Sequence, residues 1–181
     1  MVISKTNIEG CLIIEPKIFE DNRGYFYESF NNKKFNSETG LNINFVQDNE
    51  SFSHKGVLRG LHYQTGDFAQ AKLVRAIKGK VLDVAVDLRK ESSTFGKHVS
   101  IELSEQNKKQ LFVPRGFAHG FVVLSDTAIF SYKCDNYFNK SSECGIIYND
   151  PVLNIDWLLP EKSLILSEKD VVLPRLDKAT L

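Results

Sequence analysis

The chain has 181 residues, with 23 Lys plus Arg against 23 Asp plus Glu, so it carries no formal net charge. That balance excludes the broad electrostatic footprint of a duplex nucleic-acid binder, although a local basic pocket remains compatible with it. An apolar fraction of 42% over this length suits one domain, residues 1–181, with a sizeable core.

The N-terminus, "MVISKTNIEGCLIIEPKIF", has no basic segment leading into a long apolar core, so no signal peptide is expected. No apolar run approaches the roughly 18 residues of a membrane span, and no membrane association is expected. Thirteen Phe and six Tyr favour sheet. In chain order, strands are predicted at Cys11–Ile14, Tyr25–Phe30 and Asn44–Ser51, with a helix over "NNKKFNSETG" that ends on Gly40. "VLRGLHYQ" (Val57–Gln64) reads as a buried strand that nevertheless carries Arg59 and His62. Further strands follow at Leu73–Ile77, Val81–Leu88, His98–Leu103, Gln110–Val113, Phe121–Leu124 and Ile129–Cys134. Regular short strands between tight turns predict an all-β sandwich or barrel. Pro151, Pro160 and Pro174 break up the last 30 or so residues, which are expected to wrap the barrel and to include a second helix. Cys11, Cys134 and Cys144 are odd in number and lack CxxC spacing, which favours a reducing cytoplasm over disulfides or zinc.

Two segments read as hairpins. In "KLVRAIKGKVLDVAVDL" a two-residue turn at Lys78-Gly79 pairs Ile77 with Lys80, Val74 with Asp83 and Lys72 with Ala85. Alternation then puts Lys72, Val74, Asp83 and Ala85 on one face, and Leu82, Val84, Val86 and Leu88 on a greasier one. In "HGFVVLSDTAIFSYKC" a turn at Ser125-Asp126 pairs Phe121 with Phe130 and His119 with Tyr132. The plain readings are a solvated ion-paired face for the first and a buried Tyr–His hydrogen bond for the second.

"VPRGFAHGF" has the spacing PxGxxH at Pro114, Gly116 and His119, which resembles the second half of the metal-binding signature of cupins. The first half requires HxH, and the matching segment is His62-Tyr63-Gln64 with one histidine only. A metal set of His62, His119 and Asp83 stays open, but a jelly roll with no metal or other cofactor is the better reading.

"DNRGYFYESF", "FVQDNESFSHKGVLRGLHYQ", "QAKLVRAIKGKVLDVAVDLR", "FVPRGFAHGFVVLSD", "SYKCDNYF" and "LSEKD" together resemble the dTDP-4-dehydrorhamnose 3,5-epimerase family. They span residues 21–170 and imply a cupin-like jelly roll with a few short peripheral helices, and an enzyme that needs no cofactor. The connection "NKSSECGIIYNDP" is variable. The resemblance implies that His62 is a general base with Asp170 as its carboxylate partner, that Tyr132 is the general acid on the opposite face of the sugar, and that Lys72 lies near the C4 oxygen. It implies substrate binding by Arg23, Arg59, Gln47 and Asn49 at the diphosphate and nucleotide. His119 and Asp83 would complete the polar floor, and Tyr137, followed by Phe138, would also bind substrate. Phe26 and Glu28 would reach the partner subunit's site in a homodimer. The implied substrate is a dTDP-linked 4-keto sugar. The alternatives are an enzyme acting at C3 only or on a related keto sugar, a non-catalytic sugar-binding cupin, and a metal-dependent oxygenase.

The residue types suit this chemistry on their own terms. Inverting a carbon beside a ketone removes a proton from one face and returns one to the other. An unperturbed imidazole, pKa about 6.5, is well matched to that task. A carboxylate can fix its tautomer, an ammonium can stabilise the enolate oxygen, and arginine forks suit diphosphates. Two alternatives stay open. Asp170 also fits a capping pattern behind Ser167. Strict alternation separates Arg59 from His62, so either Gly60 sits in a bulge or Arg59 precedes the strand.

Overall fold

A computed structural model describes residues 1–181. The strands are β1 (Val2–Lys5), β2 (Leu12–Glu15), β3 (Phe19–Asp21), β4 (Gly24–Phe26), β5 (Gln47–His54), β6 (Leu58–Gln64), β7 (Lys72–Lys78), β8 (Lys80–Asp87), β9 (His98–Ser104), β10 (Gln110–Val113), β11 (Phe117–Val123), β12 (Thr127–Cys134) and β13 (Glu143–Gly145). A single α-helix, α1 (Asn32–Thr39), starts on an Asn31 cap and stops at Gly40, in the left-handed region at φ 72°. No helix is long and apolar enough to cross a membrane.

One sheet has the order β1-β2-β10-β7-β12-β5 and the other β13-β6-β11-β8-β9, with every pairing antiparallel. The sheets pack face to face as a cupin-like jelly roll. Between them lies a core that includes Val74, Ala76, Val81, Ala85, Leu103, Leu111, Phe121 and Phe130. The outer face of the second sheet, Leu82, Val84, Val86 and Leu88 included, is covered by Ile146, Leu153, Trp157 and Leu176 of the C-terminal wrap. α1 covers the first sheet, burying Phe35 against Ile14, Leu73 and Phe112.

Both predicted hairpins are corrected. β7 pairs with β10 and β12, whereas β8 pairs with β11 and β9, so the chain changes sheets at Gly79. β11 and β12 likewise lie in opposite sheets. The two crossings pack on each other: a Cβ on Gly79 (φ 72°) would lie 2.1 Å from the Thr127 carbonyl oxygen. The Ser125 hydroxyl also accepts from the Lys80 N–H at 2.8 Å. The alternation itself stands, because a side chain's face is a local property of its strand. Lys72, Val74, Asp83 and Ala85 all point between the sheets, but from opposite walls.

Three smaller expectations also change. The strand predicted at Tyr25–Phe30 ends at Phe26, and β3 and β4 form a separate two-stranded ribbon. The strand predicted from Asn44 begins at Gln47. The C-terminal wrap holds short 3₁₀ turns, at Glu161–Ser163, Asp170–Val172 and Leu176–Lys178, in place of an α-helix.

Candidate active site

At one end of the sandwich the apolar interior gives way to polar side chains around a cavity of about 540 Å³. β6 and β11 of one sheet contribute Arg59, His62, His119 and Phe121, and β5, β7 and β12 of the other contribute Asn49, Ser51, Lys72, Phe130 and Tyr132. The C-terminal wrap closes one side with Ile165, Leu166, Ser167, Lys169 and Asp170. A smaller lobe of about 110 Å³ shares Asn49, His62, Lys72 and Tyr132 and adds Gln47, Gln64, Cys134, Phe138 and Glu143.

A bulge in β6 brings Arg59 and His62 into this one cavity. His119 of β11 pairs with His62, while Phe121 pairs with Arg59, so β6 carries one extra residue. Gly60 makes it possible at φ 133°, where a Cβ would lie 2.6 Å from Gly120 Cα.

His62 Nε2 lies 2.7 Å from Asp170 Oδ1. A carboxylate only accepts, so the proton is assigned to Nε2 and the Nδ1 lone pair stays free. Burial pushes the Asp170 carboxyl up, but the His62 bond and charge, the Gly60 N–H and the Ser167 hydroxyl together hold it below the usual carboxylate range. The Asp170 N–H also donates to Ser167 Oγ at 3.2 Å, so the capping contact and the histidine contact coexist.

Across the cavity Lys72 Nζ stands 5.9 Å from the Tyr132 ring centroid. Burial pushes the Lys72 ammonium down and the Tyr132 phenol up. His119 Nε2 bonds Asp83 Oδ1 at 2.8 Å, and Asp83 is fully buried beneath the cavity with Oδ2 unpaired. The His62, His119 and Asp83 set does not converge as metal ligands would, because each imidazole turns Nε2 to its own carboxylate. Arg59 uses only Nε within the protein, donating to Ser53 at 3.1 Å.

Gln47 and Asn49 sit at the smaller lobe, linked by a 3.1 Å bond. Arg23, Phe26 and Glu28 do not reach the cavity. Arg23 pairs with Asp21 in the ribbon turn, Phe26 is 70% exposed, and Glu28 pairs with Lys34 at 2.8 Å. Tyr137 points outward, and its neighbour Phe138 lines the smaller lobe instead. Sequence reasoning missed Phe138, Glu143, Ser51 and Lys169. Of these, Ser51, Phe138 and Lys169 stood inside quoted motifs, whereas nothing local to Glu143 in its variable connection marks it.

A family model described as dTDP-4-dehydrorhamnose 3,5-epimerase matches residues 5–178. The chain belongs to that family. The dTDP-4-dehydrorhamnose 3,5-epimerase of Escherichia coli K12 is 55% identical over 179 residues, covering 98% of this chain and 96% of the relative. The crystal structure of the enzyme of that name from Elizabethkingia anophelis superposes with a TM-score of 0.95 at 61% identity, over 99% of both chains. A Legionella pneumophila 3,5-epimerase in complex with dTDP-4-keto-L-rhamnose matches with a TM-score of 0.94 at 51% identity, over 98% of this chain and 93% of that one. The present chain is thus an epimerase of nucleotide-linked sugars.

Proposed function

We propose that this epimerase inverts C3 and C5 of dTDP-4-dehydro-6-deoxy-D-glucose by moving protons between two walls of the cavity. The observation that carries the reading is the placement of His62 and Tyr132 on opposite sheets around one cavity, with Lys72 beside Tyr132. His62 Nδ1 takes the proton next to the C4 ketone, and Asp170 stabilises the imidazolium that forms. Charge moves onto the C4 oxygen, where the Lys72 ammonium meets it in a largely water-excluded site. The Tyr132 phenol, kept protonated by burial, returns a proton from the other face. No electrons leave the sugar, so the step is redox-neutral.

The free ends of the Arg59 guanidinium suit a diphosphate. Phe138, 52% exposed at the lobe beside Gln47, offers a flat apolar face to the nucleobase. We infer that the β3–β4 ribbon, bonded to no other strand and carrying exposed Phe19, Tyr25 and Phe26, delivers Arg23, Phe26 and Glu28 to the cavity of a second copy. Incubation with dTDP-4-keto-6-deoxyglucose, coupled to a 4-keto reductase and NADPH, tests the activity. Turnover that depends on this chain supports it, and no NADPH oxidation above the uncoupled rate contradicts it. Mixing His62→Ala with an Arg23→Ala/Phe26→Ala double variant tests the shared site. Partial recovery of activity on subunit exchange is expected, and none despite demonstrated exchange contradicts the shared site.

A further inference from the structure

Gln64, the last residue of β6, lies two residues beyond His62 and is 8% exposed. Its side chain spends its hydrogen bonds on two loops. Nε2 donates to the Phe68 carbonyl at 3.1 Å and the Tyr137 carbonyl at 3.4 Å, and Oε1 accepts from the Asn139 N–H at 2.7 Å. The residue between the last two, Phe138, donates its own N–H to Gln47 Oε1 at 3.0 Å. Three consecutive backbone positions are therefore fixed by two glutamine side chains, and the middle one carries the aromatic ring at the smaller lobe. A second ring of amides braces the approach to this turn. Gln70 Nε2 donates to the Asn136 carbonyl at 2.8 Å, and Asn136 Nδ2 donates to the Asp67 carbonyl at 2.8 Å.

A loop whose phenylalanine is 52% exposed has little apolar burial to hold it. Left free, it would lose conformational entropy each time a ligand packed on the ring. A buried amide with both ends satisfied is an ordering device of known sign, because its loss leaves backbone N–H and C=O groups unpaired.

We propose that Gln64 is a positioning residue for nucleotide recognition, holding Phe138 ready as the platform for the nucleobase. This rests on the reading of Phe138 given above and adds what holds the ring there. Gln64 itself touches neither the reacting carbons nor the diphosphate in this account. It ties the strand that bears His62 to the loop that receives the base. Its loss should therefore weaken nucleotide binding and raise KM, with kcat at saturating substrate nearly unchanged.

The test is calorimetric titration of the intact enzyme with dTDP, using Gln64→Leu, Phe138→Ala and the double variant. Phe138→Ala should weaken dTDP about tenfold, in line with the loss of one aromatic stacking contact. Gln64→Leu should weaken it by a similar or smaller factor, and kcat should stay within about twofold of wild type while KM rises. The decisive comparison is the double variant, which should bind no more than about twofold weaker than Phe138→Ala alone, since both changes act through one ring. Losses that multiply would overturn the proposal, as would a Gln64→Leu enzyme with wild-type affinity. Unchanged affinity in Phe138→Ala would instead remove the platform reading itself, and the role of Gln64 with it. If Gln64→Leu does not fold, Gln64→Glu replaces it. That variant keeps the acceptor for Asn139 and loses both donors, and the same non-additivity with Phe138→Ala decides the outcome.

Discussion

His62 and His119 are direct partners across β6 and β11, and each turns Nε2 to a carboxylate, at 2.7 Å to Asp170 and at 2.8 Å to Asp83. Their surroundings differ. The His62 side chain is 25% exposed, and Asp170 is supported by the Gly60 N–H and the Ser167 hydroxyl. The His119 side chain is 7% exposed, stacks on Phe130, and leans on a carboxylate whose second oxygen has no partner. The same pair of groups at nearly the same distance is thus open to the cavity in one place, where the proposed mechanism uses it as the base, and mostly buried at the cavity floor in the other. Exposure separates them, together with how fully the carboxylate is satisfied.

The largest effect expected from breaking this comparison is at His62. His62→Asn should lower kcat by about 10³-fold or more, with the fold and dTDP affinity kept, since general-base catalysis alone contributes roughly 10²–10⁴. Steady-state rates beside a calorimetric Kd check it, and near wild-type turnover would return His62 to a structural role. Asp170→Asn should cost less, about 10²-fold in kcat, because the imidazole remains but loses its tautomer lock and counter-charge.

The other pair should respond in stability. Asp83→Ala leaves His119 buried without its partner, and breaking such a pair costs about 3 kcal/mol, or about 10 °C in Tm for a chain of this length. Thermal unfolding of Asp83→Ala and Asp170→Asn side by side checks the contrast. Equal Tm losses would erase the distinction between the two pairs.

Titration supplies the smallest and sharpest effects. Burial lowers the Lys72 pKa, so its ammonium is lost on the alkaline side before an ordinary lysine would be. kcat should fall there, and Lys72→Arg, which stays charged, should move that fall to higher pH. For Asp170 the folded pKa lies below the unfolded one, near 3.9 for a free aspartate. Its stabilisation is therefore complete above that value and lost as pH falls through the lowered one. His62→Ala removes part of that lowering, so acid unfolding of the variant should begin at higher pH than in wild type.

Which side chains share a face was legible from alternation, which grouped Lys72 with Asp83 and His119 with Tyr132, whereas His62 was singled out by the family resemblance. Which wall each came from was not legible. A Lys-Gly step between two apolar runs looks the same whether the chain doubles back within a sheet or crosses to the opposite one. Here the packing of the Gly79 corner on Thr127 decides, across 48 residues of sequence. The bulge at Gly60 was one of two options until the register of β11 against β6 settled it. Arg23 and Glu28, on either side of β4, carry polar chemistry that this chain's own cavity does not use, which alternation along that strand cannot reveal. Phe138 was passed over for Tyr137 because adjacent loop residues have no period to assign a face.

The proposed reaction requires a two-wall transfer of protons. Turnover in deuterated water, followed by mass and NMR analysis of the sugar, tests it directly in wild type, His62→Asn and Tyr132→Phe. Wild type should place deuterium at both C3 and C5. His62→Asn should place it at neither. Tyr132→Phe should still exchange protons with solvent while net inversion falls by about 10²-fold or more. Equal retention of exchange and inversion in His62→Asn, or equal loss of both in a folded Tyr132→Phe that binds dTDP normally, would contradict a base on one sheet and an acid on the other.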